Sequence, residues 1–158
     1  MTVLVVYYSR TGRTKRIAEE IAKKLQADIE EIIDLQQRSG PLGFIHGGRQ
    51  AKKKELTQIK ACSKEPSQYH IVIIGTPIWY LTMATAIRTY LHQNKDHLLQ
   101  VAFFCTYGGI GVEHTFTDLE DLCGKKPVSK LGVATMDIIR GTYSGSMDRF
   151  INELTKKE

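Results

Sequence analysis

Near the start of the chain, Ser9-Arg10-Thr11-Gly12-Arg13-Thr14 places three hydroxyls around one glycine, directly after an apolar run and directly before a stretch of helical periodicity. A turn of this composition suits an anion. Backbone N–H groups at a helix N-terminus carry the positive end of the helix dipole, and hydroxyls add donors beside them. Arg10 and Arg13 bring charge to the same place. Because Ser and Thr also cap ordinary helices, this loop points to an anion site without naming its ligand. Two later stretches pair aromatic with turn residues: Gly75-Thr76-Pro77-Ile78-Trp79-Tyr80-Leu81 and Cys105-Thr106-Tyr107-Gly108-Gly109-Ile110-Gly111. Trp79, Tyr80 or Tyr107 would stack on a planar heteroaromatic ring, and Gly108 and Gly109 would let backbone approach it closely.

Other chemistries lack their residues. No G-x-G-x-x-G follows the first apolar run, and the stretch from Gly43 to Gly48 is followed by Arg49-Gln50 where a P-loop needs Lys-Ser/Thr. There is no G-x-S-x-G elbow and no Cys-x5-Arg phosphate loop, so hydrolase and phosphatase readings fall away. His46, His70, His92, His97 and His114 have no metal-ligand spacing. Cys62, Cys105 and Cys123 are odd in number and widely spaced, which suits neither a disulfide framework nor a structural metal and fits a reducing compartment. Cys105 reads as a small buried hydrophobe.

The elements that must carry these loops follow from periodicity. Five short apolar, β-branched runs, at residues 3–8, 29–35, 69–75, 101–106 and 131–136, read as strands. Between them, apolar residues recur three and four apart: Ile17, Ile21 and Leu25 in 13–26, Met83, Ile87, Tyr90 and Leu91 in 82–93, and Phe116, Leu119 and Leu122 in 112–123. Met147, Phe150, Ile151 and Leu154 mark a closing helix with Ser144 or Ser146 as its expected N-cap. Strand and helix alternate throughout. That pattern predicts an α/β protein, a three-layer α/β/α sandwich around a five-stranded parallel sheet, and 158 residues are too few for an eight-stranded barrel. Open sheets of this kind bind ligands beyond the carboxyl ends of their strands, where the strand order reverses. The loops after the first, third and fourth strands therefore meet at one edge.

One domain spanning residues 1–158 is expected, with an elaborated basic connection at about 36–68. That connection contains glycine turns followed by a short basic helix, and is longer than an ordinary link. From 36 to 65 it carries seven basic and two acidic residues, a net +5 that equals the excess of the whole chain. A pI near 9.1 suits an acidic partner or a phosphorylated ligand and specifies no nucleic acid. No run approaches the roughly 20 apolar residues of a membrane span, and the first residues lack signal-peptide character, so a cytoplasmic protein is expected.

On these residues the sequence resembles the flavodoxin-like FMN-binding family over nearly its whole length. Its most specific match is the first loop, similar to that family's T/S-x-T-G-x-T phosphate loop. The resemblance implies a strand order of 2-1-3-4-5 and a non-covalent FMN. It implies that Ser9, Thr11, Gly12 and Thr14, flanked by Arg10 and Arg13, hold the phosphate. Thr76, Pro77, Ile78, Trp79 and Tyr80 would lie along the isoalloxazine, and Thr106, Tyr107, Gly108 and Gly109 around its pyrimidine side. Electrons would pass between a redox partner protein or NAD(P)H and an acceptor with no catalytic side chain and no metal. The alternatives are an NAD(P)H-dependent quinone or small-molecule reductase, or a flavin-free regulatory or binding module on the same fold. A homodimer is compatible with such a site. Acidic residues are sparse in all three loops, unlike those of dedicated electron carriers, so reduction of the flavin should be easier here.

Overall fold

The computed structural model describes residues 1–156. Strand β1 (Val3–Tyr7) is buried along its whole length, and because successive strand residues point to opposite faces it feeds two cores. Leu4 and Val6 enter one, whereas Val3, Val5 and Tyr7 enter the other. β1 pairs in parallel with β2 (Asp28–Glu31) on one side and with β3 (Ile71–Trp79) on the other. A short strand β4 (Thr82–Met83) folds back antiparallel on the end of β3, and β5 (Gln100–Tyr107) and β6 (Lys130–Ala134) extend the parallel sheet. The order is β2-β1-β3-β5-β6 with β4 off this path. Counting only the parallel strands, it is the predicted 2-1-3-4-5.

Helices α1 (Arg13–Leu25) and α6 (Ser144–Thr155) cover one face, where Ile17, Ile21, Met147 and Phe150 join the core of Val5, Ile73 and Phe104. Fully burying Ile17 and Ile21 contributes about 1.5–3 kcal/mol each. Helices α3 (Thr85–Asn94) and α4 (Val112–Cys123) cover the other face through Ile87, Tyr90, Phe116 and Leu119, and Ala51 of α2 (Gly40–Lys52) joins them. A sixth, short helix α5 (Thr135–Arg140) follows β6 directly. No helix among the described residues is long and apolar enough to cross a membrane.

The structure corrects several expected boundaries. The stretch expected to form glycine turns is the body of α2, and two of its glycines, Gly43 and Gly47, are contact points instead of breaks. A Cβ on Gly43 would overlap the Arg38 carbonyl, and one on Gly47 would lie 3.1 Å from the Trp79 ring, so this i,i+4 pair lets the helix seat closely. The strand expected at 69–75 runs on to Trp79, and the helix expected from 82 begins at Thr85, because residues 78–83 form a hairpin between the two. The second strand stops at Glu31, and Asp34 then bridges Ile59. The last strand ends at Ala134, where α5 starts. Neither Ser144 nor Ser146 caps α6: its N-cap is Tyr143, whose buried side chain donates to Glu20 Oε2 at 2.8 Å and pins the entry.

Candidate functional site

The chain leaves β1 through Tyr8 and turns into α1 at Gly12, whose φ of 95° belongs to the left-handed region that favours glycine. Gly12 N donates to Ser9 Oγ at 3.0 Å, which closes the turn. No side chain caps α1 and its first turn holds no acidic residue, so the positive end of its dipole stays uncompensated. Thr14 is buried at the start of the helix, and its Oγ1 lies 2.8 Å from Thr106 Oγ1 at the end of β5. Two hydroxyls in one such bond use one proton between them, which leaves the other proton free to donate elsewhere.

A cleft of about 270 Å³ opens at this point. Thr11, Arg13 and Thr14 line one end, Pro77, Ile78 and Trp79 form one wall, and Thr106, Tyr107 and Gly108 form the other. The three loops singled out in the sequence thus converge on one cavity. Its lining includes two guanidinium groups, Arg10 and Arg13, and no carboxylate. Arg10 is already engaged: Nε donates to Arg38 O at 2.8 Å, Nη2 donates to Gly40 O at 3.0 Å, and the guanidinium stands 5.4 Å from the Phe44 ring centroid. It ties the first loop to α2. Arg13 lines the cleft from an exposed position at the first turn of α1.

Not every predicted residue lines the cleft. Ser9 and Gly12 shape the turn behind it. Thr76 is fully buried; its hydroxyl accepts from Ala84 N at 2.9 Å and donates to Pro77 O at 2.8 Å, so it braces β3 against the start of α3. Gly109 stands exposed beside Gly108, and a Cβ on either would meet nothing. Trp79 does line the cleft but is mostly buried, with the Tyr8 ring edge-on at 5.4 Å and the Arg38 guanidinium over it at 5.7 Å. Tyr80 is exposed on the hairpin, where Lys52 Nζ lies 4.7 Å from its ring centroid.

The hairpin between β3 and β4 is strained. Tyr80 and Leu81 have φ of 50° and 68°, a conformation that costs a non-glycine residue roughly 1–2 kcal/mol. Its neighbours over-determine it. The Thr82 hydroxyl donates to buried Asp118 and accepts from Arg88 Nη2 at 3.0 Å, while Thr115 Oγ1 shares its proton between Gly111 O at 2.8 Å and Leu81 O at 3.3 Å. A Cβ on Gly111 would approach Leu81 Cα to 2.9 Å, so the second and third loops touch through a bare backbone. Burial pushes the Asp118 carboxyl up, but hydrogen bonds from Thr82 and Lys54 outweigh it and hold the group below its ordinary value. Burial drives the Cys105 thiol up to about 12, which makes it an inert core group beside the cleft.

Two residues of the cleft escaped the sequence reading. Thr135 follows β6, so the carboxyl-end rule would have found it had the strand been ended at Ala134. Phe44 comes from α2, a helix whose glycines read as turns in the sequence, so no local signal pointed to it.

A protein-family model described as flavodoxin matches residues 48–136. A flavoprotein of Lactobacillus acidophilus NCFM, solved in complex with FMN, is 23% identical over 90% of this chain and 98% of its own, with a TM-score of 0.74. A flavodoxin of Streptococcus pneumonia TIGR4 is 15% identical over 100% of both chains, with a TM-score of 0.60. Oxidised flavodoxin 1 of Bacillus cereus is 17% identical over 100% of this chain and 99% of its own, with a TM-score of 0.56.

Proposed function

The chain belongs to the flavodoxin family, and we propose that it is a redox protein that binds FMN non-covalently in the cleft lined by Thr14, Ile78 and Tyr107. Electrons would pass from a redox partner protein or NAD(P)H to an acceptor. The observation that carries this reading is the uncapped N-terminus of α1 opening into the same cavity as the two aromatic loops. FMN, when bound, supplies one- and two-electron redox chemistry.

The residues present fit that group. In this reading the N–H groups of the first turn of α1, the Thr11 hydroxyl and the spare proton of the Thr14–Thr106 pair hold the phosphate, and Arg13 balances its charge. Pro77, Ile78 and Tyr107, which line the cleft, would hold the ring system. Gly108 and Gly109 leave open the space that a side chain would take, so backbone groups address the ring edge. The strained hairpin at Tyr80 and Leu81 holds its backbone at the cleft in one arrangement. No side chain is asked to act as nucleophile, acid or base. Three free cysteines, two of them buried, support a cytoplasmic setting.

The deciding experiment is the visible spectrum of the protein reconstituted with FMN, taken anaerobically before and after NADPH and then NADH. A bound flavin that bleaches with a nicotinamide makes the protein a reductase of quinones or other small acceptors. A bound flavin that stays oxidised makes it a carrier that takes electrons from another redox protein. Absence of flavin binding refutes the proposal and leaves a flavin-free binding module.

A further inference from the structure

We propose that the slot between α2 and the β3–β4 hairpin is a binding site for a small planar aromatic anion, a ring system bearing a carboxylate or sulfonate. The slot is a cavity of about 320 Å³, lined from α2 by Phe44, Ile45, Gly48 and Arg49 and from the hairpin by Ile78, Trp79 and Tyr80. That volume falls in the range of small-molecule pockets. Its walls are unusual for a surface: Phe44, Ile45 and Tyr80 are 62%, 52% and 56% exposed, and together they make a concave apolar patch. Gly48 leaves its floor open, since a Cβ there would meet nothing within 4 Å. Lys52 holds Tyr80 by standing over its ring, and so fixes the outer wall.

Charge selects the ligand. Arg49 is the one charged residue in the lining, and among the described residues its side chain makes no hydrogen bond or ion pair. Two apolar walls facing each other fit a flat ring, and one free guanidinium at the rim fits a planar oxyanion through a forked pair of N–H donors. The slot shares Phe44, Ile78 and Trp79 with the cleft described above, so its occupant would lie beside a bound flavin. A role as the acceptor's site rests on the FMN reading; the binding itself does not.

The test is a calorimetric titration of naphthalene-2-sulfonate, and of its neutral counterpart 2-naphthalenemethanol, into the full chain with and without saturating FMN. The sulfonate should bind one per chain, about fivefold tighter than the alcohol, as expected for an ion pair to an exposed arginine. It should also perturb the emission of Trp79, the only tryptophan. Arg49→Gln should erase the difference between the two compounds. Gly48→Leu, which fills the slot, and Ile45→Glu, which sets a carboxylate at its wall, should each weaken the sulfonate at least tenfold while FMN binding stays unchanged. Equal affinity for both compounds, or insensitivity to Gly48→Leu and Ile45→Glu in folded protein, overturns the proposal. Mutual exclusion by FMN also overturns it, because the slot would then be part of the cofactor cleft. If the chain takes up no FMN at all, the functional reading fails while the titration of the FMN-free protein still decides this one.

Discussion

Replacing Thr14 with valine keeps nearly the same shape and removes one hydroxyl from a buried pair whose Oγ1 atoms lie 2.8 Å apart. Two separable effects follow. Without cofactor, the Thr106 hydroxyl loses its partner, and a neutral hydrogen bond of this kind is worth about 1 kcal/mol of stability. In the FMN reading Thr14, at the first turn of α1, is the hydroxyl that donates to a phosphate oxygen while Thr106 donates to Thr14; losing that charge-assisted bond, worth about 1.5–3 kcal/mol, should raise the dissociation constant roughly 10- to 150-fold. Thr106→Val removes the same inter-hydroxyl bond and should cost the apoprotein the same about 1 kcal/mol. The double variant should lose less FMN affinity than the two single losses combined, because both act through one pair. Urea unfolding of the apoproteins and quenching of flavin fluorescence on titration measure the two effects independently. A Thr14→Val protein that is destabilised as expected, yet binds FMN within about twofold of the parent, would show that the pair only joins α1 to β5 and would refute the phosphate role.

Gly75→Ala should destabilise the fold by about 1–3 kcal/mol or more in urea unfolding, since its Cβ would overlap the Phe104 ring across the β3–β5 pairing, and unchanged stability would contradict the packing described. Asp118→Asn should cost about 3 kcal/mol at neutral pH by leaving the buried Arg88 guanidinium without its carboxylate. Because the Asp118 carboxyl is held below its ordinary 3.8, its contribution is fully present above that pH and is lost as the pH falls through the depressed value; the gap between the two proteins should therefore close in acid, and a gap constant down to pH 2 would refute the assignment. With no carboxylate in the cleft lining, the bound flavin should reduce more readily than in an acid-lined carrier. Thr135→Glu should lower its midpoint by ~40 mV per electron, from about 1 kcal/mol of repulsion at roughly 10 Å and an effective dielectric near 30, and a strongly negative midpoint in the parent protein would end this line of reasoning.

Most of the fold was legible because its signals are local. A parallel strand buried on both faces must be apolar without alternation, as Val3–Tyr7 is, and a helix packed on one side must repeat its apolar residues as Ile17 and Ile21 do. The turn after β1 was legible for the same reason, since Ser9, Gly12 and Thr14 are neighbours in sequence and shape one turn into α1. Long-range partners decided what was missed. Thr76 carries the residue type of a ligand contact and serves as a brace, because its partner is Ala84 N across the hairpin. Trp79 suggested a stacking platform, but Tyr8 and Arg38, far away in sequence, take up much of its ring.

The segment from 36 to 52 shows how far this effect reaches. Glycine in water-exposed chain signals turns, yet glycine four residues apart on a helix signals close approach, and only the surface being approached distinguishes the two. Here that surface is the Arg38 backbone and the Trp79 ring. Arg10 adds a second anchor by donating to Arg38 O and Gly40 O, so the loop after β1 and α2 are held as one unit. The consequence is chemical: α2 sets an apolar group, Phe44, at the cleft and a cationic one, Arg49, at the neighbouring slot. On the redox reading proposed above, selectivity for what exchanges electrons with the flavin should follow substitutions in α2, which sets Phe44 and Arg49 in place, more closely than substitutions in the loop after β1.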